Sequence, residues 1–263
     1  MDKKHIILLM DIGNTNTKVG IAFDDKIVAT YVLPTTLKET ADTFGFKIVA
    51  MCRNLKIQVS EIDLWMVCSV VPPLNLIIKE AGEKYSNCKV IFVPEDFALP
   101  LENKYANPSE VGSDRLVTAY AARELYSTPG LIVIDFGTAT TLECVQDNSY
   151  LGGLICPGIF SSLQALSVKT AKLPKISLEM DNRKMQIGNS TITSMTHGFI
   201  FGFAKMVDGL CEELKKFLKG EITIVATGGF APKIKPVSRL INEIRPDLLL
   251  RGLLFASKNY LDK

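Results

Sequence analysis

Short apolar runs alternate along the chain with longer segments of helical spacing. The runs at 5–13 (HIILLMDIG) and 18–25 (KVGIAFDD) are rich in large and branched apolar residues, and together they predict a hairpin. LWMVCSVVPP at 64–73 predicts a buried strand that two prolines end, and KVIFVPED at 89–96 predicts another strand.

Segments of helical spacing lie between these runs and after them. They are, in chain order, 39–55, 73–85, 112–126 and 195–218. Ser113 stands where the third segment begins, and a serine at this position is typical of an N-cap. Strands interleaved with helices predict an α/β architecture.

The opening pattern returns at 131–145 (LIVIDFGTATTLECV), about half the chain later. The matching pairs are Asp11 and Asp135, Gly13 and Gly137, and Thr17 and Thr141. Solenoid repeats recur every 20 to 50 residues or so, and a repeat as long as this one indicates a duplicated domain instead. We therefore predict a first domain at 1–117 and a second at 118–263.

Each copy follows its aspartate with a glycine and a string of small hydroxyl or amide side chains. A glycine lets the backbone approach a ligand closely, and successive N–H groups in a turn form a concave site for phosphate. A carboxylate at such a site repels phosphate unless a cation lies between them, so Asp11 and Asp135 are candidate ligands of hard cations. The alternative is a pair of ordinary turns at strand ends, which the recurrence of the pattern disfavours.

Composition excludes several classes of protein. With 263 residues and 47% hydrophobic composition, the chain can bury a large core, and its formal charge of +2 gives no bulk attraction to nucleic acid or to an anionic membrane. The apolar run at 6–10 is short for a signal peptide, and no segment approaches the ~18 apolar residues of a membrane span. Six scattered cysteines without a C-x-x-C pair indicate reduced thiols. We expect a cytoplasmic protein with no nucleic-acid or membrane partner.

Neither a P-loop nor a G-x-G-x-x-G sequence is present, so the remaining route to phosphate binding is a pair of hairpin loops from two similar domains. That arrangement resembles the acetate and sugar kinase, Hsp70 and actin superfamily. Further motifs narrow the resemblance to the type III pantothenate kinase family: YANPSEVGSDR (105–115), GGLICPGIFSSLQAL (152–166), TAKLP (170–174), IGNSTITSMTHG (187–198) and ATGGFA (226–231).

The resemblance implies two duplicated ribonuclease-H-like domains with an ATP cleft between them. It implies transfer of phosphate from ATP to the primary hydroxyl of pantothenate, which gives 4'-phosphopantothenate and is the first step of coenzyme A biosynthesis. It also implies Mg²⁺ with ATP, a monovalent cation (K⁺ or NH₄⁺) and a homodimer.

The resemblance also implies roles for particular residues. Asp114 would be the proton acceptor and Asp135 the ligand of the monovalent cation. The residues that would bind ATP are Asp11, Ile12, Gly13, Asn14, Thr15, Asn16, Thr17, Lys18 and Thr138. Those that would bind pantothenate are Tyr105, Gly112, Ser113, Asp114, Arg115 and Thr191.

The expected charge of Asp114 is compatible with the role of proton acceptor. A helix N-terminus and the adjacent Arg115 both favour its ionised form, which makes it a weak base. Phosphoryl transfer tolerates a weak base, because its loose transition state needs little early deprotonation of the attacking hydroxyl. Arg115 is suited to a bidentate contact with the pantothenate carboxylate. Alternatively, this segment is only a helix start with a surface ion pair.

Two other functions stay open at this point. One is a non-catalytic nucleotide-binding regulatory or transcription-accessory paralogue, since a fold does not fix a function. The other is a kinase of the same fold that acts on a sugar or small acid. Retention of Asp11, Asp114, Arg115 and Asp135 favours catalysis. Arg251 stands where an acidic residue is common in the family, which is one departure from the family's pattern.

Overall fold

The structure is a computed structural model that describes residues 5–169, 173–174, 176–179 and 184–262. The first three residues of the motif at 170–174 therefore lie outside the described residues. Contacts between Cα atoms divide the chain into two compact units, each made of segments that are discontinuous in sequence. The first comprises Met1–Pro100, Ser109–Glu124 and Leu248–Lys263, and the second comprises Leu101–Pro108 and Leu125–Asp247. A single boundary after residue 117 stays a prediction.

The strands and helices alternate as the sequence predicts. The strands are β1 (Ile6–Ile12), β2 (Asn16–Phe23), β3 (Lys26–Pro34), β4 (Leu64–Ser69), β5 (Lys89–Phe92), β6 (Glu102–Asn103), β7 (Gly130–Phe136), β8 (Ala139–Gln146), β9 (Ser149–Pro157), β10 (Ile222–Thr227) and β11 (Glu243–Ile244). The α-helices are α1 (Ala41–Asn54), α2 (Pro72–Ser86), α3 (Ser113–Leu125), α4 (Ile159–Lys169), α5 (Thr191–Leu214), α6 (Ala231–Ile234) and α7 (Leu248–Leu261). Short 3₁₀ turns occur at Val59–Glu61, Pro108–Glu110, Lys215–Phe217 and Lys235–Val237.

The two sheets share one topology. In the first unit the strand order is β3-β2-β1-β4-β5, with antiparallel pairing from β3 to β1 and parallel pairing from β1 to β5. In the second unit β9-β8-β7-β10-β11 repeats that order and those directions, and β6 is added beside β9. The predicted hairpin is β1 and β2, and its predicted repeat is β7 and β8. The α/β class and the duplication are thus confirmed.

Two local predictions need correction. β4 ends at Ser69, and the two prolines begin α2 instead of ending the strand. The first helical turn tolerates proline because its N–H groups have no partner within the helix. Ser113 is the first residue of α3 and not its N-cap, and its hydroxyl donates to the Ser69 carbonyl 2.8 Å away.

Each unit has its own apolar core. In the first, alternate residues of β1 (Leu8, Met10 and Ile12) pack with apolar residues of α1 and α2. In the second, alternate residues of β7 pack with the apolar face of α5, as the helical spacing at 195–218 predicts. No helix within the described ranges is both long enough and apolar enough to cross a membrane.

The C-terminal helix packs closely in the first unit. A Cβ atom built on Gly252 of α7 would lie 2.6 Å from the Val117 carbonyl oxygen of α3 and 3.1 Å from the Ala121 Cβ. The two helix backbones can approach this closely only because residue 252 has no side chain. Since α3 carries Asp114 in its first turn, this contact also fixes the element that presents the candidate base.

We expect Gly252→Ala to lower the free energy of unfolding by about 1–2 kcal/mol. The cost of overpacking against a backbone carbonyl, about 1–3 kcal/mol, exceeds the gain of up to about 1 kcal/mol in helix propensity. Gly209→Ala is the matched control, because Gly209 is exposed on α5 and a Cβ there meets nothing within 4 Å. Urea denaturation should show this control to be slightly more stable than the wild type, and a stabilised Gly252→Ala would contradict the close packing.

Candidate active site

The turn after β1 is tight and is closed by a threonine from the end of β3. The Gly13 N–H donates to the Asn16 carbonyl at 3.1 Å. The Thr35 hydroxyl donates to the Gly13 carbonyl at 2.7 Å and lies 2.9 Å from the Thr17 hydroxyl. Thr35 also donates its N–H to the Thr15 carbonyl. Sequence analysis missed Thr35, although a polar pair directly after a strand is a signal of this kind.

The exposed part of this turn is polar. Asn14, Thr15 and Asn16 are exposed, whereas Ile12 is buried and can offer a ligand only its backbone. The side chain of Asp11 is 14% exposed, and its Oδ2 lies 3.9 Å from the Lys18 Nζ. The turn therefore combines backbone donors, hydroxyls and one ammonium group, which together suit a phosphate chain.

The start of α3 is attached to the same strand that pairs with β1. Ile12 is paired with Ser69 at the end of β4, and the Val70 N–H donates to the Ile12 carbonyl at 3.0 Å. The buried Ser113 hydroxyl donates to the carbonyl of Ser69. Segment 112–115 and the turn after β1 are thus held at one edge of the first sheet.

Asp114 lies in the first turn of α3, where the helix dipole favours its charged form. Its Oδ1 accepts the Arg115 N–H at 2.8 Å. A Cβ on Gly112 would lie 2.6 Å from this same oxygen, so the carboxylate occupies space that any other residue would fill. The Asp114 carboxylate can therefore take this position because residue 112 has no side chain.

Cys68 of β4 is a buried neighbour of this part of the site that was not predicted from the sequence. Burial raises the pKa of its thiol well above the usual value, as do the negative charges of Asp11 and Asp114, while a hydrogen bond with Ser113 lowers it. Both carboxylates therefore lie near one buried thiol. Scattered cysteines carry no spacing signal, so only the pairing of Cys68 with Asp11 in the β1–β4 register could have revealed this position.

In the second unit, Asp135 is the second-last residue of β7 and has two glycines close to it. It lies opposite Thr141 of β8 and beside Thr227 of β10. A Cβ on Gly228, whose φ is +87°, would lie 2.4 Å from the Asp135 Oδ1, and one on Gly137 would lie 3.4 Å from it. Gly228 thus leaves room for this carboxylate.

The turn between β7 and β8 packs against the residue before α4 and the first turn of that helix. The Ser161 hydroxyl donates to the Thr138 carbonyl at 2.9 Å, and a Cβ on Gly158 would lie 2.0 Å from that oxygen. Thr138 itself is exposed. The last glycine of the GGLICPG sequence thus serves close packing beneath this turn.

The two remaining candidates also belong to the second unit. Tyr105 follows β6, its N–H donates to the Asn103 Oδ1 at 3.0 Å, and its ring lies 6.4 Å from the Tyr150 ring. Thr191 is the exposed first residue of α5, and Ser190 before it is the N-cap. The turn after β1 and segment 112–115 are brought together in the first unit, whereas Tyr105, Asp135, Thr138 and Thr191 lie in the second.

The oxygen atoms near Asp135 suit a cation that needs few negatively charged ligands. Among the described residues, no group of three or more His, Cys, Asp or Glu could hold a metal ion. A cation at Asp135 would thus have one carboxylate, neighbouring threonine hydroxyls and backbone carbonyls as its ligands. Hard cations such as K⁺ and Mg²⁺ accept oxygen donors of this kind, and Mg²⁺ is commonly held by one or two carboxylates together with substrate phosphates.

The fold identifies the class of protein. Two sheets with the same strand order, each with a polar turn after its first strand, define the actin-like fold of the acetate and sugar kinase superfamily. The ROK hexokinase of Thermus thermophilus has a similar structure, with a TM-score of 0.57 and 13% identity, over 98% of this chain and 100% of that one. At this identity the likeness shows the fold alone.

The sequence comparisons identify the family within this class. A model of the type III pantothenate kinase family matches residues 7–213. A type III pantothenate kinase of Nitratidesulfovibrio vulgaris (strain Miyazaki F) is 51% identical over 247 residues, which are 94% of each chain. One of Oleidesulfovibrio alaskensis is 48% identical over 249 residues, 94% of this chain and 95% of its own.

The chain therefore belongs to the type III pantothenate kinase family, kinases that transfer phosphate to pantothenate in coenzyme A biosynthesis. The predicted family and the predicted enzyme class are confirmed. Nothing in the comparisons favours a non-catalytic paralogue.

We expect Gly112→Ala to lower kcat/KM for pantothenate by about 10- to 100-fold, because the new methyl group displaces the Asp114 carboxylate and small misplacements of a reacting group are costly. The clash is with the end of a side chain, so the free energy of unfolding should change by less than about 0.5 kcal/mol. Steady-state kinetics and urea denaturation measure the two effects. Full activity in a folded Gly112→Ala protein would show that the position of this carboxylate does not limit turnover.

Proposed function

We propose that this protein phosphorylates the primary hydroxyl of pantothenate with ATP, using Asp114 as the proton acceptor. The hydroxyl oxygen forms a bond to the γ-phosphorus, the bond between that phosphorus and the β–γ bridging oxygen breaks, and ADP leaves. The hydroxyl proton passes to a carboxylate oxygen of Asp114. Atoms and charges balance without a further reactant.

One observation carries this proposal: the polar turn after β1 and the Asp114 carboxylate are anchored to the same end of β4. Ile12 pairs with Ser69, and Ser113 donates to the carbonyl of that same serine. A candidate base is thereby held close to a candidate phosphate loop within one compact unit. Positioning of this kind supplies most of the catalysis in phosphoryl transfer.

The proposed ATP loop comprises residues 11–18, and Thr138 is proposed as a further contact of ATP. Backbone N–H groups and hydroxyls of the turn would bind phosphate oxygens, and Lys18 would offset part of their negative charge. Because the Gly13 carbonyl is tied to Thr35, the turn is preorganised before ATP arrives. Preorganised donors are more effective than donors that must be ordered on binding.

For pantothenate, we propose contacts from Tyr105, Gly112, Ser113, Arg115 and Thr191. Arg115 would bind the substrate carboxylate, because a guanidinium presents two parallel N–H donors to a carboxylate. Gly112 and Ser113 would contribute mainly through their backbone, since the Ser113 side chain is buried and engaged with Ser69.

We also propose that Asp135 holds a monovalent cation, K⁺ or NH₄⁺, and that Mg²⁺ accompanies ATP near Asp11. When bound, such cations neutralise charge on the phosphates. Gly228 and Gly137 leave room for the Asp135 carboxylate, and Thr141 and Thr227 on the neighbouring strands supply further oxygens, which supports this assignment.

Two further proposals concern the whole molecule. Exposed apolar side chains of the second unit, among them Ile155, Phe160, Ile187 and Ile192, support the proposal of a homodimer.

All six cysteines are free thiols, which supports a cytoplasmic location.

We expect Asp114→Asn to lower pantothenate-dependent ADP release by about 10²- to 10⁴-fold, the range typical of a lost general base. The amide keeps the size of the side chain but accepts no proton at neutral pH. A coupled ADP-release assay with saturating ATP measures the loss, and Asp42→Asn is the matched control, because Asp42 is an exposed carboxylate on α1. Unchanged turnover in Asp114→Asn would exclude Asp114 as the base, and no pantothenate-dependent turnover in the wild type would exclude the proposed reaction.

We expect the wild type to require K⁺ or NH₄⁺ for activity and to have low activity in Na⁺. Asp135→Asn should lower turnover in K⁺ by at least about tenfold, because the anionic ligand of the cation is lost. Ligand binding also raises the unfolding temperature, so in the presence of ATP K⁺ should stabilise the wild type more than it stabilises Asp135→Asn. Equal stabilisation of both proteins by K⁺ would contradict the assignment of Asp135.

A further inference from the structure

The strand before Tyr105 is too short to fix the orientation of the Tyr105 ring. β6 has two residues, which pair with Ser149 and Tyr150 of β9. The Lys104 N–H donates to the Tyr150 carbonyl at 2.8 Å, and this bond fixes the backbone before Tyr105 but not its ring. The ring must therefore be oriented by the surface against which it packs.

That surface consists of one glycine and one buried tyrosine. Gly152 has a φ of +105°, and a Cβ built on it would lie 3.0 Å from the Tyr105 Cδ2. The Tyr150 ring is fully buried and inclined at 31° to the Tyr105 ring. Any side chain at position 152 would meet the Tyr105 ring.

Tyr150 is itself held by a buried carboxylate. Its hydroxyl donates to the Glu143 Oε2 at 2.6 Å, and the residues are 0% and 1% exposed. Burial of a carboxylate is costly unless hydrogen bonds compensate it, and a phenylalanine at 150 would need no such partner. This pair fixes both the rotation and the depth of the Tyr150 ring.

The neighbouring glycine makes this arrangement compatible with the sheet. Gly153 lies opposite Glu143, and a Cβ on it would lie 1.8 Å from the Leu142 carbonyl oxygen. The register between β8 and β9 shifts between Cys144 and Val145, which is the mark of a bulge. The first two glycines of GGLICPG therefore let β9 approach β8 closely and turn the bare backbone of Gly152 toward Tyr105.

We propose that Gly152, Gly153, Tyr150 and Glu143 form a platform that positions the Tyr105 ring for contact with pantothenate. These are positioning residues, since they act on the substrate through Tyr105. The inference rests on the proposed function, in which Tyr105 binds pantothenate, and it gives a role to two glycines and a buried pair to which the proposed function assigns none.

The test compares KM values for the two substrates. We expect Tyr105→Ala to raise KM for pantothenate about tenfold while KM for ATP stays within about twofold, which is the loss expected for one substrate contact. Gly152→Ala should raise KM for pantothenate to a similar extent, and Tyr150→Phe should raise it by about threefold, because that change keeps the ring and removes only its hydrogen bond.

Gly220→Ala is the matched control for backbone strain. Gly220 also has a positive φ, +75°, and a Cβ on it would lie 2.7 Å from the Pro129 Cγ, so alanine there is similarly strained. It lies in the loop before β10 and makes no contact with Tyr105. This variant should lose stability without any change in KM for pantothenate.

A double-mutant cycle separates positioning from general damage. With Tyr105→Ala in place, Gly152→Ala should have no further effect on KM for pantothenate, because the ring on which it acts is gone. An equal effect in both backgrounds would overturn the platform.

If Tyr105→Ala raises KM but Gly152→Ala and Tyr150→Phe do not, the platform is wrong and the role of Tyr105 stands. If Tyr105→Ala leaves KM unchanged, the assignment of Tyr105 to pantothenate fails and the platform fails with it. Should Gly152→Ala not fold, Tyr150→Phe in both backgrounds decides the question by the same criteria.

Discussion

The parallel pairing of β1 with β4 is the constraint on which the candidate site depends. Parallel strands end at the same edge of a sheet, so the turn after β1 and the residues after β4 must lie together. The bond from Ser113 to Ser69 then attaches the start of α3 to that edge. A candidate phosphate loop and a carboxylate separated by about a hundred residues in sequence are brought near each other by one strand pairing and one side-chain hydrogen bond.

The second unit repeats the topology, but the residue opposite the aspartate differs. Asp11 lies opposite Lys18, whereas Asp135 lies opposite Thr141. A lysine supplies positive charge from the protein itself and suits a turn that meets phosphate directly. A threonine supplies a neutral oxygen instead, and a neutral oxygen beside a carboxylate suits a cation. This one cross-strand difference is the physical basis for assigning different roles to two copies of one motif.

Much of this organisation could be predicted from sequence because it is local or repeated. The two hairpins and the long helix α5 follow from hydrophobic period, and the duplication follows from the recurrence of Asp-x-Gly after an apolar run. The grouping of α7 with the first unit could not be predicted, since it depends on the packing of this helix against β1 and β4, far away in the chain. Thr35 and Cys68 were missed as neighbours of the site for the same reason: each reaches it through tertiary packing. The prolines after β4 were misassigned because a proline ends a strand and begins a helix with equal ease.

Cys68 is a buried thiol that lies near both Asp11 and Asp114. Burial and the charges of these two residues raise the pKa of its thiol, so the side chain stays neutral at physiological pH and adds no third negative charge. Other groups offset the negative charge of the two carboxylates: Lys18 lies near Asp11, and the N-terminus of α3 favours a charged Asp114. A neutral thiol thus adds no further repulsion of phosphate to a site that, in the proposed reaction, already has one carboxylate as proton acceptor and another near a cation.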